Sequence, residues 1–356
     1  MVEMKPISER RWTSEEGSAG RDTRSACPLG KERTSGPLVP TLGGMVRTLL
    51  GIGTRSVPWP GIRERADRLL TLQVLLLLVV NAWAGGRLET VFVESDDAMI
   101  PSRGVRVWLP EDYDTSEARY PVVYFHDGQN VFRPGGTFGC WFAEDAAAAE
   151  IAAGRMREAI MVAIPNNEED MGKARMTEYQ PPTDINPRDP SRGKGICDRY
   201  AEFLVGKVKT AIDAKYRTLP DRENTAVAGA SMGGLVSLWL GLNTDAFGAV
   251  GVFSPAFWTS PNFTKAVMEG AKKDGLRIYM DMGTREKGNL TGDYWADALA
   301  VRGALLAQGY VEGEDFLWNP GEGDEHNEKA WAKRLPVALR FLVPGDVASA
   351  SPPTDR

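Results

Sequence analysis

Histidine is nearly missing from this chain. Only His126 and His326 occur in 356 residues, so any reaction that needs an imidazole must use one of those two. Cysteine is almost as scarce, with three residues, and no His, Cys and carboxylate spacing of the zinc type is present, so the sequence predicts neither a metal nor another cofactor. Basic clusters are absent from the main body and the net charge is -6, which excludes binding along a phosphate backbone and hence nucleic acid as a partner. No period of 20 to 50 residues recurs, so a repeat architecture is excluded as well. Long apolar runs are also missing: the longest, Leu69 to Val80, is about a dozen residues, too short for a stable membrane span.

That run reads as a secretory leader. It follows the charged stretch Arg63 to Arg68 and precedes Asn81-Ala-Trp-Ala-Gly85, whose small residues Ala82 and Ala84 suit a signal-peptidase site. The expected organisation is a disordered or mis-annotated extension over residues 1–67, a signal peptide over 68–84 and one catalytic domain over 85–356. Its position, some sixty residues in, implies that translation starts downstream of Met1. The expected location is secreted or periplasmic. Cys140 and Cys197 then remain in the mature chain, either as a disulfide or as two buried thiols.

What the sequence does have is an alternation of short β-rich runs and helical patterns after Gly86. Apolar stretches at 121–125, 159–164, 249–253 and 276–282 read as buried strands, and 143–153, 199–215, 294–308 and 328–342 read as helices, the last kinked or divided at Pro336. Such alternation specifies a mostly parallel sheet covered by helices on both faces, with ligands at the carboxyl ends of the strands. An irregular stretch from 165 to 196 is long enough to line a pocket, and Arg175, Glu178 and Tyr179 are its candidate substrate contacts.

The central motif is Gly229-Ala-Ser-Met-Gly233, set between the β-prone run from Thr225 and the helical pattern from Leu235. A strand, tight turn and helix of this kind presents Ser231 at the tip of a strained turn as a nucleophile. The Met232 amide then lies beside it to meet a developing negative charge. Only His326 follows Ser231 in the chain, which makes it the candidate base in the order Ser, acid, His. For the acid, Glu286 in the loop beyond the strand is preferred to Asp281 within it; Asp324 and Glu325 are too near His326 in sequence to orient it. A second oxyanion donor is expected from His126-Asp-Gly-Gln-Asn130, with the Gln129 amide as donor, Gly128 allowing close approach, and His126 shaping the loop.

From about Arg103 to Leu342 the chain resembles the esterase family of α/β-hydrolases that includes esterase D-like, feruloyl and acetyl xylan, and enterochelin esterase-like enzymes. The matching pieces are Val107-Trp-Leu-Pro-Glu-Asp-Tyr113, Asp127-Gly-Gln-Asn-Val-Phe132, Glu178-Tyr-Gln-Pro181, Tyr200-Ala-Glu-Phe-Leu204, Tyr216-Arg-Thr218, Gly229-Ala-Ser-Met-Gly-Gly234, Ser254-Pro-Ala-Phe-Trp258, Gly283-Thr-Arg-Glu286 and His326-Asn-Glu328. The resemblance implies an α/β-hydrolase fold with Ser231 as nucleophile, His326 as base and the acid at the Gly-Thr-x-acid position. There this chain has Glu286 where many relatives carry Asp. Trp258 joins the candidate substrate contacts. The expected activity is hydrolysis of a carboxylic ester, with a small-molecule, carbohydrate or siderophore-type ester as substrate. Acyl transfer to a sugar or alcohol by the same triad, and a non-catalytic binding protein on the same scaffold, are the alternatives.

Overall fold

The computed structural model describes residues 85–168, 172–185, 190–286 and 294–345. The expected extension and leader lie outside these residues. Within them runs an eight-stranded sheet in the order β1-β2-β4-β3-β5-β6-β7-β8. Its strands are β1 (Gly86–Val93), β2 (Arg103–Pro110), β3 (Val122–Phe125), β4 (Ile160–Ala163), β5 (Thr225–Ala230), β6 (Ala249–Phe253), β7 (Arg277–Gly283) and β8 (Phe316–Gly321). The first two are antiparallel, and from β4 to β8 every neighbouring pair is parallel. Every residue of β3, β4, β5 and β6 is buried, the burial that their continuous apolar runs predict for strands covered on both faces.

The helices are α1 (Ala143–Ala152), α2 (Lys173–Tyr179), α3, α4 (Met232–Asn243), α5 (Pro261–Glu269), α6 (Tyr294–Ala307) and α7 (Glu328–Leu342). α3 is α-helical over Cys197–Phe203 and Thr210–Lys215 and π-helical over Leu204–Lys209 between them. Successive residues of a strand face opposite ways, so the sheet feeds two cores. Val122, Tyr124, Ile160, Val162 and Val227 pack with the apolar stripes of α3 and α4. On the other face Val123, Phe125, Met161, Ala226 and Tyr279 pack with Ala143 and Ala147 of α1 and Leu335, Ala338 and Leu339 of α7. This is the mostly parallel, two-faced sheet that the alternation predicts, and the α/β-hydrolase architecture that the resemblance implies.

Three features depart from the sequence reading. The stretch at 165–196 contains α2, whose Ala174, Met176, Thr177, Glu178 and Tyr179 are all buried, so packing organises residues that have weak helical periodicity of their own. α5 is a further helix, opened by Pro261 in its first turn, a position where the missing N–H costs nothing. α7 runs from Glu328 to Leu342 as one element, with Pro336 inside it. Cys140 and Cys197 are both buried free thiols. Among the described residues no helix is long and apolar enough to cross a membrane.

Candidate active site

The carboxyl ends of β3, β5, β6, β7 and β8 lie side by side, so the segments that follow them share one edge of the sheet. These segments carry Gln129, Ser231, Ser254, Glu286 and His326 respectively. Ser231 immediately follows β5 with φ 60° and ψ -118°, a left-handed conformation that a side chain rarely adopts. The turn is held by its neighbours: the Ser231 amide donates to the Phe253 carbonyl (2.9 Å), and its carbonyl accepts from Ala256 (3.1 Å) and Leu235 (3.1 Å). A Cβ on Gly229 would lie 2.9 Å from Gly233 backbone atoms, and one on Gly234 would lie 2.7 Å from the Phe253 carbonyl oxygen. The small residues around the serine are therefore required by contact.

Met232 is the first residue of α4, where the early amides have no carbonyl of their own helix to bond. Beyond β3, the strand paired with β5, the 3-10 turn Gly128–Asn130 commits the amides on either side of Gln129: Gly128 donates to Ile164 (2.7 Å) and Asn130 to Asp127 (2.9 Å). Gly128 is packed so closely on the end of β4 that a Cβ would lie 2.5 Å from Ile164 N. Asn130 Nδ2 donates to Glu328 Oε1 (3.1 Å), which ties this loop to the first turn of α7.

His326 Nδ1 lies 2.7 Å from Glu286 Oε2, and the imidazole is 28% exposed while the carboxylate is fully buried. The other carboxylate oxygen of Glu286 is fixed by the Ser254 hydroxyl (2.6 Å) and the Gly283 amide (2.8 Å). Burial alone raises the Glu286 pKa, but the bonds from His326, Ser254 and Gly283 outweigh it and hold the carboxyl below the ordinary glutamate range. The ring of His326 is packed between Tyr294 (centroids 4.9 Å apart) and Trp331 (5.0 Å, edge-on).

Asp281 is occupied otherwise. Its carboxylate accepts from Arg334 Nε (3.0 Å) and Nη2 (3.2 Å), the Tyr279 hydroxyl (2.9 Å) and the Ser254 amide (2.9 Å). Arg334 also pairs with Asp324 (3.0 Å), lies 3.5 Å from Glu286, and donates to the Ser254 hydroxyl (2.8 Å). Trp331 Nε1 donates to that same hydroxyl (2.9 Å).

Comparison with known proteins adds the family. The family model described as "Putative esterase" matches residues 97–342. The chain belongs to this family. It is accordingly a carboxylic ester hydrolase. The esterase is 23% identical over 248 residues to YbbA of Bacillus subtilis strain 168, a protein named only as uncharacterized, in a match covering 68% of this chain and 92% of YbbA. It is 29% identical over 135 residues to Esterase Rv1288 of Mycobacterium tuberculosis H37Rv, covering 38% of this chain and only 25% of that longer protein. Solved structures share the fold: a ferulic acid esterase (TM-score 0.53, 19% identity, 73% of this chain and 98% of that one) and the enterobactin esterase of Shigella flexneri (TM-score 0.54, 18% identity, 72% and 59%).

The expected substrate contacts of the esterase fare unequally. Glu178 does not face an open pocket: it is 1% exposed and paired with the buried Arg103 (2.8 Å). Tyr179 is likewise fully buried, its ring against His126 and Tyr200. Both are expected from the sequence to line the pocket, because a polar, irregular stretch conceals the packed face of α2. Arg175 grips Asp127 through two bonds, Nε to Oδ1 (2.5 Å) and Nη2 to Oδ2 (2.7 Å). Gly128 serves the packing of the loop on β4. Trp258 is half-buried and meets Tyr294 edge-on, and the Tyr294 ring in turn packs against His326. His126 is buried, with Nδ1 2.9 Å from the Tyr200 hydroxyl, in keeping with a shaping role.

Sequence reasoning gave no role to Ser254, Arg334 or Trp331. A signal for Arg334 existed: it falls on the face of α7 that Ala330, Trp331, Leu335 and Ala338 make apolar, and a charge on such a stripe needs buried partners. A groove of about 900 Å³ opens between Phe138 to Phe142 and the first turns of α7; its wall includes Asn327, the residue after His326, with Glu328 and Ala332, but neither His326 nor Ser231.

Proposed function

We propose that this esterase works through an acyl-enzyme, with Ser231 as nucleophile, His326 as general base and Glu286 as the group that orients it. The observation that carries the reading is the 2.7 Å contact of Glu286 with His326 Nδ1, in a protein whose only other histidine is buried. With Nδ1–H donated to the carboxylate, Nε2 is left as the basic nitrogen. Nε2 takes the proton as Ser231 Oγ adds to the ester carbonyl. The oxyanion is met by the Met232 and Gln129 amides. The imidazolium then protonates the leaving alkoxide, and water, activated by the same nitrogen, releases the acid and restores the serine.

The groove that begins at Asn327, the residue after His326, is the proposed place for one half of the substrate. The neighbouring ferulic acid and enterobactin esterases support a small-molecule, carbohydrate or siderophore-type ester. Export through the leader over 68–84 is part of the same proposal, and N-terminal sequencing of protein recovered outside the cytoplasm should begin near Gly85. For the chemistry the test is Ser231→Ala, which should abolish labelling by a fluorophosphonate and lower turnover by several orders of magnitude at unchanged thermal stability. Labelling that persists in this variant would remove Ser231 from the mechanism.

A further inference from the structure

The two proposed oxyanion donors come from segments about a hundred residues apart, and something must fix the distance between them. One guanidinium touches both segments. Arg175 holds the carboxylate of Asp127, the residue immediately before Gly128 and Gln129, and its Nη2 also lies 3.4 Å from the carbonyl of Ala230, the residue immediately before Ser231 and Met232. Asp127 is itself in the left-handed region, with φ 55° and ψ 44°, so its backbone conformation is one that surrounding contacts must maintain. Those contacts are dense. Asn166 Nδ2 donates to Asp127 Oδ1 (2.5 Å), the Asn166 amide donates to Gln129 Oε1 (3.2 Å), and the Asp127 amide donates to the Tyr179 hydroxyl (3.3 Å). On the far side the carboxylate abuts the first turn of α4, where a Cβ on Gly233 would come within 3.0 Å of Asp127 Oδ2. Arg175 in turn lies over the Tyr179 ring, 5.3 Å from its centroid, which fixes the plane of the fork.

We infer that Arg175 is a positioning residue: through its two-pronged pairing with Asp127 and its contact with the Ala230 carbonyl, it sets the separation of the Gln129 and Met232 amides and so the strength of the oxyanion site. The inference rests on the Ser231 mechanism proposed above. Lysine in its place keeps the charge but offers a single point and no fork, so the loop and the serine turn can drift apart by a fraction of an ångström. Loss of one oxyanion donor typically costs 10² to 10³ in turnover, and misplacement of a donor costs part of that.

The experiment compares p-nitrophenyl acetate with p-nitrophenyl thionoacetate, in which sulfur replaces the carbonyl oxygen and takes weaker, longer hydrogen bonds from the same amides. For Arg175→Lys the expected result is a fall in kcat on the oxygen ester of about 30-fold, with KM changed less than about threefold. The thiono ester should lose less than about threefold, so that the ratio of the two rates drops about tenfold. Asp127→Asn, which keeps the shape and removes the charge, should lower the ratio in the same direction and carries the test if the lysine variant does not fold. A loss that simply reduces the amount of competent enzyme slows both esters by one factor. That outcome, or a kcat within twofold of the parent enzyme for both variants, overturns the inference. If Ser231→Ala remains active, the underlying mechanism has failed instead.

Discussion

Glu286→Gln tests the site most directly, because a single atom changes and its hydrogen-bond polarity reverses. In the parent protein Oε1 accepts from the Ser254 hydroxyl and the Gly283 amide, and Oε2 faces His326 Nδ1. A glutamine must choose. With its carbonyl oxygen at the Oε1 position both frame bonds survive, but the amide NH₂ then points at Nδ1, which can only accept. The ring proton moves to Nε2, and the nitrogen meant to take a proton already has one. The flipped amide would set NH₂ against the Gly283 N–H, two donors face to face in a buried site, so that escape is closed. Turnover should therefore fall by roughly 10³ to 10⁴, as when a triad carboxylate becomes an amide, equivalent to about 4–5.5 kcal/mol of barrier.

Steady-state kinetics on a p-nitrophenyl ester checks the rate, and ¹⁵N spectra of the imidazoles check the cause, since the chain has only two histidines to distinguish. Asp281→Asn is the companion. It breaks a buried pair with Arg334 and should destabilise the fold by on the order of 3 kcal/mol, with a smaller effect on turnover per folded molecule. The reasoning is refuted if Glu286→Gln stays within tenfold of the parent, or if it is inactive while His326 keeps its proton on Nδ1.

Acid should weaken the fold in two overlapping windows, of which only the first is open above about pH 4.5. Burial pushes the His126 pKa from 6.5 down to about 3, so the unfolded chain binds a proton first and stability falls as pH drops below about 6.5; His126→Phe should flatten the thermal melting curve against pH between about 6.5 and 4.5. The depressed Glu286 carboxyl contributes stability above its unfolded value and loses it as pH falls further, below about 4.5, a slope that Glu286→Gln should remove. Gly229→Ala puts a methyl within 2.9 Å of Gly233 backbone atoms and should cost on the order of 1–3 kcal/mol in denaturant unfolding, with reduced fluorophosphonate labelling; a variant as stable and reactive as the parent would show that the turn can relax. Cys140 and Cys197, buried and unpaired, should be alkylated only after denaturation, and a reductant should leave the melting temperature unchanged.

The strands were legible because four of them are buried on both faces and carry nearly unbroken apolar runs, a pattern with few other readings. The strained turn at Ser231 was legible for a local reason too: it is built from residues adjacent in sequence. The region from 165 to 196 was not. α2 is short, and Glu178 and Tyr179 look like surface residues until Arg103, 75 positions earlier, supplies the charge that buries one and Tyr200 the ring that buries the other. Glu286 and His326 were predicted singly from chain order and loop position, yet the network that holds the carboxylate joins β6, β7 and α7. Contacts between segments that far apart leave no periodic trace in the sequence.

That network explains why one carboxylate faces the imidazole and the other does not. Asp281 and Glu286 share the Ser254 residue and lie on either side of Arg334, so charge alone does not separate them. The count of donors does. Asp281 meets both nitrogens of the guanidinium fork, a tyrosine hydroxyl and a backbone amide, and its oxygens are fully used within the frame. Glu286 gives one oxygen to Ser254 and Gly283, which anchors it, and turns the other toward His326. The longer side chain makes this division possible, because the carboxylate can fold back on the Gly283 amide while its far oxygen still reaches the ring. Gly283 has to be glycine for the same reason: a Cβ there would lie 2.7 Å from Glu286 Oε1 and 2.4 Å from the Asp324 carbonyl oxygen. An aspartate in this turn would lose either the amide or the imidazole, so Glu286→Asp should retain the fold and lose most of the turnover, whereas substitution at Asp281 acts on the frame.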